Sequence, residues 1–89
     1  EPFPDLKQQL LVFQDSVRGV SRSNIDRRLA SVSKAIDNTL DEGAELVRNA
    51  ASNREVHGRL AALHHMRQAL MKIKKVLVSH KKFYGIEGA

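Results

Sequence analysis

Hydrophobic residues recur along this chain at helical spacing. Leu6, Leu10, Phe13, Val17 and Val20 follow one another at intervals of 4, 3, 4 and 3, which puts them on one face of an amphipathic helix. A strand alternates with a period of two and cannot generate that stripe. Pro4 biases Phe3 away from helical backbone and Asp5 offers an N-cap, so a first helix is expected over about 5–20. Gly19 and the run Ser21-Arg22-Ser23-Asn24 end it and supply caps for the next.

The second stripe is longer: Ile25, Leu29, Val32, Ile36, Leu40, Gly43, Val47 and Ala50, flanked by Ala35 and Leu46. At 100° per residue these positions fall within an arc of roughly 160°. Lys34, Asp37, Asp41, Glu45 and Arg48 occupy the polar arc opposite. An internal glycine costs ~1 kcal/mol against alanine, so a break at Gly43 would give four helices. The apolar phase continues across Gly43, which favours one helix over about 24–51, with the glycine on the inner face allowing close approach.

Ser52 and Glu55 have the spacing of a capping box, so a third helix should start near residue 53 and run to about 82. Its inner stripe is Val56, Leu60, Leu63, Met66, Leu70, Ile73 and Leu77, with Ala62, Ala69 and Val76 to one side. The tail from Phe83 carries two glycines, and Phe83 and Tyr84 are placed to cap the end of a bundle. One domain over residues 1–89 follows, an all-α antiparallel three-helix bundle built from a long hairpin and a shorter N-terminal helix.

The mismatch in helix length suggests where such a bundle binds. A first helix of ~15 residues covers only about half of a hairpin that is 40–45 Å long at ~1.5 Å per residue. If it lies over Ile25 to Ile36 and Leu70 to Leu77, the tip half is left as a groove bearing Leu40, Val47, Val56, Leu60 and Leu63, with Arg59 at the rim. An uncovered apolar groove marks an interaction surface, open to a second copy or to a partner's helix.

Composition narrows the class. With 42% hydrophobic residues, 2 Pro and 5 Gly, the chain is built to fold rather than stay disordered. It has no cysteine, so disulfides, thiolate metal sites and cysteine nucleophiles are excluded, and an intracellular setting (cytoplasm or nucleus) is expected. There is no apolar run of 18 residues and no signal-peptide pattern at the start. A start at Glu1 rather than Met reads as an excised domain or a processed product.

Charge is concentrated in the third helix, where residues 54–82 hold eight Lys/Arg against the single acid Glu55. Its outward face aligns Arg54, His57, His64, Lys72, Lys75 and Lys82 into a basic stripe. Such a stripe suits an acidic protein partner or a phosphate backbone. A membrane surface is less favoured, since the apolar side of this helix is needed for the core. A solvated face paired with Asp37, Asp41 and Glu45 is the plainer alternative.

Candidate chemistry is sparse. His57 and His64 lie seven residues apart, ~10 Å along a helix, too far to share an ion. His64 and His65 diverge by ~100°, and His80 stands apart, so no metal is expected. The five glycines match no phosphate-binding loop, and no nucleophile stands beside a base, so neither a catalytic residue nor a cofactor is expected. Arg27-Arg28-Leu29-Ala30-Ser31 loosely resembles a basophilic kinase site, but mid-helix backbone makes Ser31 a poor substrate. The expectation is a non-enzymatic protein-interaction module (adaptor, docking or oligomerisation), with a nucleic-acid-binding domain as the alternative.

Overall fold

In a computed structural model, residues 3–49 and 54–85 are described. They form three helices, α1 (Pro4–Arg18), α2 (Ile25–Asn49) and α3 (Arg54–Phe83), with no strand among them. Ser52 of the expected capping box lies outside the described residues. No described helix is long and apolar enough to cross a membrane.

The start of α1 differs in detail from the sequence expectation. Pro4, not Asp5, opens the helix, where its missing N–H leaves nothing unsatisfied. Asp5 sits inside the first turn, near the positive end of the helix dipole. Phe3 is the cap, in left-handed backbone at φ 61°. That conformation is costly for an L-residue and persists only where surroundings fix it. Here the Phe3 ring lies against Gly58 of α3 and beneath the Arg59 guanidinium, 5.3 Å from ring centre to Cζ.

α2 runs unbroken through Gly43, so the described residues form three helices and not four. Gly43 is buried, but a Cβ there would meet Leu60 Cδ2 at 3.7 Å, an ordinary van der Waals contact. The helices therefore do not require glycine at this point. Gly43→Ala is expected to raise stability by up to ~1 kcal/mol, read by thermal unfolding. A fall in Tm would mean that the crossing is closer than the structure indicates.

α3 is the central element. α2 packs along one side of it and α1 along another, giving a flattened body of 48 × 26 × 15 Å. The core joins Leu6, Ile25, Val32, Leu63, Met66, Leu70, Ile73 and Leu77. α1 leans on α3 rather than lying across the hairpin, and a crevice remains between α1 and α2, floored by Leu63 and Met66. Small residues on α3 permit this approach, with Gly58 under Phe3 and Ala62 beside Leu6 and Leu10.

The connection between α1 and α2 fixes how far α1 reaches. Residues 19–24 wrap the base of the bundle and are held at several points. Asn24 Oδ1 accepts from the Ser21 N–H and Asn24 Nδ2 donates to the Gly19 carbonyl. Tyr84 Oη donates to the Val20 carbonyl, and Arg22 Nη2 donates to the Tyr84 carbonyl. Arg28 Nη1 donates to the Ser16 carbonyl, satisfying a free acceptor at the end of α1. Tyr84 thus caps the base as expected, whereas Phe83 is 85% exposed and does not. Because this loop spans the base itself, α1 is displaced towards the hairpin tip, and Asp5 stands level with Arg59 and Glu42.

Candidate protein-interaction face

The displacement of α1 redraws the expected groove. Leu63 is 1% exposed and belongs to the core, not to an open tip. Arg59 is no rim residue either, because it joins all three helices. Its Nε donates to Glu42 Oε2 of α2 at 2.6 Å, while Nη1 and Nη2 donate to the two carboxylate oxygens of Asp5 in α1 at 3.1 and 3.0 Å. Its guanidinium also lies over the Phe3 ring. Glu42 and then Asp5 hold the guanidinium pKa above its ordinary value. Arg59 in turn holds the Asp5 carboxyl below its usual 3.8, chiefly by hydrogen bonding.

Leu40 and Val47 remain open, 49% and 68% exposed, while Val56 and Leu60 are half-buried. Leu60 fills the space over Gly43. The exposed row continues beyond the expected groove, into the half of α3 nearer the base. Ile36 of α2 and Met71, Lys74, Lys75 and Val78 of α3 line a depression of about 360 Å³, to which α1 contributes no residue. Met71 is 50% exposed. Leu40 lies one turn beyond Ile36 on the same side of α2. Ile36, Leu40 and Val47 with Met71 and Val78 thus form an apolar strip along the α2–α3 seam. In the sequence Met71 and Val78 are marked only as hydrophobes outside the inner stripe of their helix, which does not tell whether they are covered.

The basic stripe is exposed as expected at Arg54, His57, His64, Lys72, Lys75 and Lys82. The expected pairing of this face with Asp37, Asp41 and Glu45 does not form among the described residues. Glu45 bonds Arg48 and Asn49 within its own helix, and Asp37 and Asp41 make no ion pair among the described residues. Lys72, Lys74, Lys75 and Lys82 likewise have none, while Lys81 meets Asp26 at 2.9 Å across the base. Behind the strip, buried Thr39 donates to the Ile36 carbonyl at 2.7 Å and accepts from Arg67 Nε at 3.2 Å. That pair satisfies a buried hydroxyl and fixes the seam at its midpoint.

Among the described residues no group of three His, Asp or Glu side chains could hold a metal ion. Ser31 lies within regular α2 backbone, on the wall of the crevice towards α1. No family model matches the sequence, and no curated protein and no solved structure is found to match it.

Proposed function

We propose that this chain is a non-enzymatic protein-interaction module that binds through the α2–α3 face left open by α1. The observation that carries this reading is the apolar strip of Leu40, Val47, Met71 and Val78, exposed beside the packed inner faces of α2 and α3. Isolated surface hydrophobes are ordinary, but a row along one seam favours occupancy by a second protein surface. Leu40, Val47, Val56 and Leu60 of the expected groove stay in this proposal, and Leu63 and Arg59 leave it. A direct test pairs Leu40→Asp with Met71→Asp. Both side chains are half exposed, so helix content by circular dichroism should persist while binding to amphipathic helical peptides is lost. Unchanged binding by a folded double variant would reject the proposal.

One observation favours a second reading, nucleic-acid binding: the lysines at 72, 75 and 82 are exposed and unpaired among the described residues. If it holds, duplex DNA or RNA binds with a steep salt slope, and Lys72→Glu with Lys75→Glu weakens every sequence alike. Flat anisotropy traces at low and at physiological salt would remove it.

A further inference from the structure

The two edges of the apolar strip differ in charge, and this difference points to a kind of occupant. On the α3 side Lys74 and Lys75 line the depression together with Met71 and Val78. Lys82 extends the same positive edge along the helix, and the one described acid of α3, Glu55, lies in its first turn. On the α2 side, Asp37 follows Ile36 directly and is exposed, without an ion pair among the described residues. The strip therefore has an apolar floor, a cationic edge and a weakly anionic edge.

From this asymmetry we infer that the face receives an amphipathic helix of a partner protein, apolar inside and acidic along the edge that meets α3. The inference rests on the protein-interaction reading of the same face. Ile36 to Val47 spans about 16 Å, three turns of helix, so apolar anchors on the partner at i, i+4, i+7 and i+11 match it. Met71 gives the floor an adaptable side chain. Unpaired lysines beside an apolar floor gain most from carboxylates that arrive with hydrophobic anchors, because burial then excludes water from the ion pairs.

Other occupants fit less well. A phosphate backbone would engage Lys74 and Lys75 but leave Met71 and Val78 without apolar partners. An anionic membrane would meet Asp37 as well as the lysines. A second copy carries a net charge of +5 of its own, and the two chains repel at long range.

The inference is tested by fluorescence anisotropy with two labelled helical peptides of about 20 residues, long enough to cover the strip. One carries leucines at 4/3 spacing and glutamates along one edge, and the other has lysine in place of each glutamate. The wild-type protein should bind the glutamate peptide at least ~10-fold more tightly, and Lys74→Glu with Lys75→Glu should reverse the preference while helix content is retained. Equal binding of both peptides, unmoved by the charge reversal, overturns the acidic-helix inference but leaves the protein-interaction reading standing. Binding of neither peptide overturns both. Displacement of the glutamate peptide by duplex RNA with a steep salt slope overturns the inference in favour of phosphate. A dimer by sedimentation velocity that Met71→Asp dissolves overturns it in favour of a second copy.

Discussion

Leu70→Ala is expected to cost this protein about 2–5 kcal/mol, a large fraction of its total stability. Leu70 is 0% exposed on the central helix, within the cluster that holds Val32, Met66, Ile73 and Leu77. The loss adds the transfer of its methyl and methylene groups to the cavity left between helices that cannot fully collapse. A domain of this length holds about 4–13 kcal/mol in all, at ~0.05–0.15 kcal/mol per residue. Tm should therefore fall by about 8–40 °C, at ~4–8 °C per kcal/mol. Val78→Ala, at the open seam, should stay within ~0.5 kcal/mol. Equal effects of the two substitutions in thermal unfolding would show that the packed and open sides of α3 are misassigned.

Arg59→Ala is the second large change, because one side chain joins α1, α2 and α3. The loss is about 1 kcal/mol, or a Tm lower by ~4–8 °C, since water and salt screen the carboxylates it pairs with. Salt should reduce the difference between variant and wild type. The pH dependence has a definite sign. Asp5 is more acidic folded than unfolded, so its contribution is present above the ordinary value of 3.8 and is lost as pH falls through the depressed folded value. Arg59 stays charged over that whole range. The gap between wild type and Arg59→Ala should thus narrow below about pH 4, near the ordinary carboxylate value. A gap that is constant down to pH 2 would mean that Asp5 takes no part. Loss of the staple should also speed amide exchange in the first turns of α1, which it ties down through Asp5.

The helices were legible because apolar spacing is a local property. The stripes Leu6–Leu10–Phe13–Val17 and Leu63–Met66–Leu70–Ile73–Leu77 face the interior, and Gly43 lies inside one continuous α2 as its phase implies. The position of α1 along the hairpin was not legible. It depends on how residues 19–24 use their length, and that follows from contacts remote in sequence, such as Tyr84 Oη to the Val20 carbonyl and Arg22 to the Tyr84 carbonyl. The same displacement took Leu63 and Arg59 out of the expected groove, since both lie where α1 arrives. Leu40 and Val47 kept their exposure because they lie on the side of α2 that α1 never reaches. The exposure of Met71 and Val78 is not legible either, for a physical reason. A helix packed between two neighbours has a wide apolar arc, and only the tertiary arrangement tells which part of that arc stays bare.

The most direct measurement is a ¹⁵N-HSQC titration of the whole chain with the glutamate-edged helical peptide. The predicted result is a saturable set of shifts concentrated at Ile36, Leu40, Met71, Lys74, Lys75 and Val78, with the crevice residues Gln9, Ser31 and Asn38 unmoved. Shifts confined to the crevice between α1 and α2, or no saturable shifts at all, would contradict binding at the open α2–α3 face.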